Sequence, residues 1–176
     1  IVDHAFRYAA QKGVLIVHSA GNSSRDNDMI VSYPNRYAQY DWSDPVSTWL
    51  DVGASAKYAN QELVASFSNF GQNSVDIFAP GHNIMSTTPG NNYESLSGTS
   101  MAAPVVSGVA ALVWSQNPEL SAVELKEIIM KLSRTYPNLL VKKPSTPSKL
   151  IPFKSLSISG GIVDAEKIFI HLSERN

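Results

Sequence analysis

The sequence predicts an α/β fold built around a mainly parallel sheet. Three observations carry that prediction. A helical pattern over 1–12 passes through Gly13 into an unbroken β-branched run, VLIVHSA at 14–20, the helix–turn–buried-strand rhythm of α/β sheets. Short apolar strand candidates, punctuated by glycine, proline and asparagine, then follow between 50 and 97. Finally an apolar helix over 99–116 shows no polar side until Ser107 and Ser115, which predicts near-complete burial.

Taken in order, residues 1–12 place Ile1, Ala5, Tyr8 and Ala9 on one helical face, with Gly13 suited to stop the helix. The run 14–20 reads as a strand buried on both faces. A polar, turn-rich excursion fills 21–49, with Pro34 and Pro45 inside it. Strands are expected at 50–54, 63–67, 75–78, 84–88 and 93–97. Ser121 and Glu124 form a capping box for a helix reaching about Arg134, with Val123, Ile128, Ile129 and Leu132 turned inward. Four prolines and four lysines make 136–159 an irregular surface excursion. Gly160-Gly161 marks a turn, and Asp164 can cap a last helix to Leu172.

Composition excludes several classes. A net charge of −1, with no long run of either sign, offers nothing to a nucleic acid or an anionic membrane. The absence of cysteine removes disulfides, thiolate metal sites and a cysteine nucleophile. The longest apolar stretch, Met101 to Trp114, falls short of the roughly 20 residues a membrane span needs. The length of 176 residues suits one domain, and the opening at Ile1, inside a helical pattern, suggests a piece of a longer chain.

Two short stretches carry chemistry. In LSGTSMAAP (96–104), Ser100 stands where the apolar helix begins. An N-cap serine is the plain reading. A plain cap gains nothing from Pro104 in the first turns, however, and a helix N-terminus beside a hydroxyl stabilises a developing oxyanion. Gly98, without a side chain, lets a substrate carbonyl approach. In VHSAGN (17–22), a buried strand ends and Asn22 projects where ligand-facing groups of α/β folds sit. Its amide is either a turn asparagine bonded to its own backbone or an oxyanion donor.

Together these stretches resemble the subtilisin-like serine proteases, the subtilases. GTSMAAP (98–104) is similar to the family's nucleophile motif and SAGN (19–22) to its oxyanion-asparagine motif. ASFSNFG (65–71), VDIFAPG (75–81), IMSTTPG (84–90) and GGIVDAEK near the end follow in the family's order. One departure is Val105, where many relatives carry a histidine that is not catalytic. The resemblance implies the three-layer subtilisin-like fold with its N-terminal strands absent, so that 1–176 is the C-terminal portion of one catalytic domain. It implies Ser100 as nucleophile and Asn22 as oxyanion donor beside the Ser100 N–H. Ala20 and Gly21 would wall the pocket for the residue before the scissile bond, and Gly98 and Thr99 would contact substrate.

The family orders its triad Asp, His, Ser, and neither an Asp-Ser/Thr-Gly nor a His-Gly-Thr motif occurs here. The resemblance therefore puts the base and its carboxylate upstream of Ile1. Of the four histidines, His4 and His82 are expected to face solvent, and His18 to be a hydrogen-bonded core residue. His171, with Ser100 and Asp164, gives the Ser, Asp, His order of an α/β-hydrolase-type esterase. One short helix for Asp164 and His171 argues against that rival. A non-catalytic subtilase-like module is the other alternative.

No redox or organic cofactor is required by this chemistry. Subtilases often hold structural calcium. Here Asp26-Asn27-Asp28 and the pair Asp41 and Asp44 lack the glycine and distal glutamate of an EF-hand loop and read as solvated acids. The implied partners are peptide or protein substrates and the upstream half of the domain. An open sheet edge and an uncovered helix face would otherwise promote self-association. The resemblance places the parent protein outside the cell or in its envelope.

Overall fold

The computed structural model describes residues 2–37 and 44–174. Ile1, grouped above with the first helix's apolar face, and Asp41, one of the loop acids, lie outside the described residues. Helix α1 (Val2–Gln11) ends at Gly13, whose φ of +76° suits a residue without Cβ. None of its residues is fully buried, and Ala5 and Tyr8 face solvent. Its anchor is Phe6, which meets the buried Trp49 edge-on with ring centroids 4.8 Å apart.

Strands β1 (Ile16–Ser19), β2 (Trp49–Ser55) and β3 (Ile77–Pro80) pair in parallel, with Ile16 opposite Trp49 and Val52 opposite Ile77. Next come β4 (Ile84–Thr88) and β5 (Asn92–Leu96), a separate antiparallel hairpin. Helices α2 (Thr99–Gln116) and α3 (Ala122–Lys131) follow, then β6 (Arg134–Thr135), β7 (Leu140–Lys143), β8 (Thr146–Pro152), β9 (Gly161–Ile162) and α4 (Ala165–Ser173). The main sheet runs β1-β2-β3-β9-β6, with β9 parallel to β3 and β6 antiparallel at the far edge.

Alternation along β2 sorts the layers. Leu50, Val52 and Ala54, with Ile77 and Ala79 of β3, pack against Ala102, Val106, Ala110 and Val113 of α2. Leu125, Ile129, Ile168 and Leu172 of α3 and α4 complete that layer. On the opposite face Phe78 joins Leu63, Val64, Phe70, Val141, Phe153 and Leu156 in a second apolar cluster. The α3 capping box forms as expected, and the Asp164 carboxylate accepts from the Lys167 N–H at the start of α4. Leu125, not among the expected inward residues, is fully buried beside Ile129, while Val123, Ile128 and Leu132 are half-buried.

Four expectations need correction. The strand at 14–20 is shorter and half-buried, because it forms one edge of the sheet rather than an interior position. Residues 63–67 are not a strand: a single antiparallel bridge joins Ser55 to Val64, so the apolar run reflects burial without a ladder. The excursion 136–159 contains the β7–β8 hairpin and supplies Val141, Phe153 and Leu156 to the second cluster. Its prolines fit because β8 pairs only with β7 among the described residues. Finally, α2 is not wholly buried. Its inward stripe recurs every three to four residues, while Pro104, Gly108, Ala111 and Leu112 face out, Leu112 being 52% exposed.

Candidate active site

Two chain turns meet at the start of α2. Gly98 is its N-cap residue, with no side-chain cap bond, so Ser100 is the second helical residue and not a capping serine. Its hydroxyl is on an exposed residue at the positive end of an 18-residue helix. Gly98 is fixed from below, since its N–H donates to the Gly81 carbonyl at 2.8 Å. A Cβ on Gly81 would come within 2.8 Å of the Gly98 oxygen and 2.7 Å of the Ala54 Cβ, so only glycine allows this approach.

The second turn leaves β1. Ala20 is buried, its N–H bonded to the Val52 carbonyl, and Gly21 follows with φ +106°. Thr99 clasps this turn to the helix. Its N–H donates to the Asn22 Oδ1 at 2.9 Å and its hydroxyl to the same oxygen at 3.0 Å. That hydroxyl in turn accepts from the Gly21 N–H at 3.1 Å. With Oδ1 occupied, Asn22 keeps its Nδ2 donors, for which no described residue serves as acceptor. A Cβ built on Gly98 would lie 3.3 Å from Asn22 Nδ2 and 3.7 Å from the Ser100 backbone nitrogen. The space that Gly98 leaves empty is thus flanked by two donors. Ala20, Gly21, Asn22, Gly98, Thr99 and Ser100 lie together where these two turns meet.

The histidines do not join them. His4 and His82 are exposed, and His18 bonds through Nδ1 to Asp51 Oδ1 at 2.6 Å. Asp164 is occupied by Arg134 Nε at 2.7 Å and by the Lys167 N–H. His171 lies seven residues further along α4, with no hydrogen bond to Asp164 or Ser100 among the described residues. Of the acidic loop pieces, Asp26 and Asp28 have their carboxylates engaged by protein partners. Asp28 Oδ1 accepts from the Ser74 hydroxyl at 2.7 Å and both its oxygens from the Asn73 N–H, while Asp26 faces Lys143 Nζ at 3.8 Å. Asp44 presents its main-chain oxygen to Arg7. Among the described residues no group of three or more histidine, aspartate or glutamate side chains could hold a metal.

A family model describing the subtilase family matches residues 2–148. The chain belongs to the subtilases. It is 43% identical over 125 residues to M-protease of Shouchella clausii, an alignment covering 71% of this chain and 29% of that protein. Subtilisin Savinase of Lederbergia lenta is 42% identical over 125 residues, 71% of this chain and 40% of its own. Subtilisin-like protease 2 of Plasmodium falciparum is 35% identical over 156 residues, covering 88% of this chain and 10% of that protein. The subtilase cytotoxin SubAB assembly superposes with a TM-score of 0.73 at 25% identity over 98% of this chain and 53% of its own. A cold-adapted subtilisin-like serine proteinase gives 0.64 at 30% identity, over 89% and 49%. The fold is the subtilisin-like one, and the chain spans about half or less of the relatives it matches.

Sequence reasoning missed two features of this subtilase chain. One is a buried ionic cluster that ties Arg36, and Lys126 of α3, to Asp51 of β2 and to Asp76, just before β3. Arg36 reaches Asp76 at 2.6 Å and Asp51 at 3.3 Å, Trp49 Nε1 donates to Asp51 at 2.8 Å, and Lys126 stands 3.4 Å from Asp76. Burial alone would lower the Arg36 value, but Asp76 and Asp51 raise it above the ordinary one; burial holds Lys126 below its own despite Asp76. The available signal was a charge set inside each apolar strand run, WLDVGAS and VDIFAP. The other is Asn69, whose bonds to the Asn22 turn no spacing rule reveals.

Proposed function

We propose that this chain supplies the nucleophile and the oxyanion side of a serine endopeptidase active site, completed by a longer parent polypeptide. The observation that carries the reading is the pair of donors, Asn22 Nδ2 and the Ser100 N–H, flanking the space above Gly98. Ser100 Oγ attacks the peptide carbonyl carbon while its proton passes to a base. The carbonyl oxygen, now negative, accepts from both donors. Collapse expels the amine, which takes the proton from that base, and water then releases the acyl group from Ser100 by the same steps in reverse. Ala20 and Gly21 wall the pocket for the residue before the scissile bond, and Gly98 and Thr99 face the substrate.

No described histidine stands against Ser100, so the base and its orienting carboxylate belong, in this reading, to sequence outside this chain. The chain alone then has little or no protease activity. Two surfaces are suited to receive the rest of the domain: the free edge of β1 and the exposed side of α2 around Gly108 and Leu112. Without it those surfaces favour self-association or strand exchange. By resemblance the parent acts outside the cell or in its envelope, without a required cofactor.

The test is peptide hydrolysis by the parent polypeptide. Ser100→Ala should abolish it. Asn22→Ala should lower turnover by about 10²–10³ with KM little changed, a magnitude borrowed from subtilisin itself. Full turnover in either variant contradicts the reading.

A further inference from the structure

We propose that Asn69 is a positioning residue for Asn22, setting the turn from which the oxyanion amide projects; the inference rests on the protease reading above. Asn69 lies between β2 and β3 in sequence, 47 positions from Asn22, and is 4% exposed. Its polar groups are all used, and almost all are spent on one turn. Nδ2 donates to the Ala20 carbonyl at 3.0 Å. Oδ1 accepts from the Ser23 N–H at 2.9 Å and from the Arg25 N–H at 3.0 Å. The Asn69 backbone N–H donates to the Gly21 carbonyl at 2.8 Å. The bonds therefore fall two and one residues before Asn22 and one and three residues after it. Asn22 itself is left untouched, free to face Thr99 and the space above Gly98.

The turn needs such a hold because its backbone is not self-supporting. Gly21 has φ +106° and Ser24 has φ +55°, so two of its residues occupy left-handed or related conformations within four positions. Besides Asn69, backbone bonds hold the segment only near its ends. The Ala20 N–H donates to the Val52 carbonyl, the Ser24 N–H to the Phe67 carbonyl, and the Arg25 carbonyl accepts from the Phe70 N–H, which leaves the Ser23 and Arg25 amides to the Asn69 side chain. A Cβ on Gly21 would stand 2.5 Å from Asn69 Nδ2, so a side chain at 21 would displace the Asn69 amide. Asn69 is itself anchored, its carbonyl accepting from the Ser68 hydroxyl at 2.8 Å, which accepts from the Ala54 N–H at 2.9 Å. A line of hydrogen bonds thus runs from β2 to both flanks of Asn22. The Ala20 carbonyl has a second donor, Asn27 Nδ2 at 3.0 Å. Removal of the Asn69 side chain therefore leaves that carbonyl paired, and what is lost is the grip on the Ser23 and Arg25 amides.

The test compares Asn69→Ala, Asn69→Asp and Val141→Ala in the polypeptide that carries the complete active site. Val141, buried in the second apolar cluster, controls for a general loss of stability. Hydrolysis kinetics and hydrogen exchange of residues 20–25 are read on each. Asn69→Ala should lower kcat by about ten- to a hundredfold, within the ceiling for losing one oxyanion donor, with KM within about twofold. Exchange over 20–25 should speed up at the same time. Asn69→Asp keeps both acceptor bonds but sets a carboxylate oxygen, which cannot donate, against the Ala20 carbonyl, so it should recover only part of the kcat lost in Asn69→Ala. Val141→Ala should melt earlier with kcat unchanged. If Asn69→Ala does not fold, Asn69→Ser, too short to hold two amides at once, must show the same loss of kcat. Wild-type kcat in an Asn69→Ala protein, or a loss no greater than that of Val141→Ala, overturns the proposal while the protease reading stands. A protected 20–25 turn in a wild-type polypeptide whose Ser100 is never acylated overturns the protease reading, and this proposal with it.

Discussion

The Asn22 side-chain oxygen accepts two hydrogen bonds from one residue, the backbone N–H and the hydroxyl of Thr99, at 2.9 and 3.0 Å. This bond pair decides which end of the amide is free. It also ties the loop after β1 to the first turn of α2, so that Asn22 and Ser100 are held by one clasp. Thr99→Val removes the hydroxyl and keeps the N–H. On the protease reading proposed above, it should reduce the kcat of the longer polypeptide by roughly three- to tenfold, the worth of about one hydrogen bond, with KM nearly constant. A kinetic comparison that moves only KM would contradict the clasp.

The buried ionic cluster around Asp76 should be costly to break by halves. Asp76→Ala leaves Arg36 and Lys126 buried without their main partner. The expected loss is about 3–5 kcal/mol in urea unfolding, the range for stranding a buried charge. A loss under roughly 1 kcal/mol would mean water or another group compensates the cations.

The β7–β8 hairpin should behave as core support. Phe153 is fully buried against Phe78, with ring centroids 5.5 Å apart. Phe153→Ala should destabilise the chain by about 3–5 kcal/mol, whereas Ser148→Ala on the exposed strand should stay within about 0.5 kcal/mol. Equal effects would restore the picture of a dispensable surface excursion.

Asp164 gives the stability a pH dependence of known sign. Burial pushes its carboxyl up, but the hydrogen bond from Arg134, the Lys167 N–H and the two nearby cations outweigh that and hold it below the usual range. A carboxyl depressed in the folded state contributes stability above its unfolded value, near 3.9, and loses it as pH falls through the folded value. Acid unfolding should therefore steepen below about pH 4 in the wild type and flatten in Asp164→Asn. An unchanged acid limb would contradict the pairing. The same engagement explains why Asp164 does not orient His171.

What was legible in the sequence was local. GTSMAAP and SAGN identified residues that meet in space, because a glycine, a small hydroxyl residue and an asparagine at strand and helix ends each have narrow uses. The capping box at Ser121 and the Asp164 cap were readable for the same reason: one side chain answers one nearby N–H. What failed depended on distant partners. The VLIVHSA run says apolar but not whether a neighbour lies on both sides, and β1 turned out to be an edge. Phe153 and Val141 look like loop residues until Phe78 is placed beside them. Arg36 finds Asp76, 40 positions away, and Asn69 finds the Asn22 turn only through the folded sheet.

The most direct test of the central claim is labelling with a fluorophosphonate probe, read by intact mass. It would be run on the 176-residue chain and on the longer parent polypeptide, each beside Ser100→Ala. With the base supplied from outside this chain, a single adduct on Ser100 is expected in the longer polypeptide, none in its Ser100→Ala variant, and negligible labelling of the chain alone. Rapid labelling of Ser100 in the chain alone would contradict that claim, since a working base would then already be present, with His171 the first residue to test.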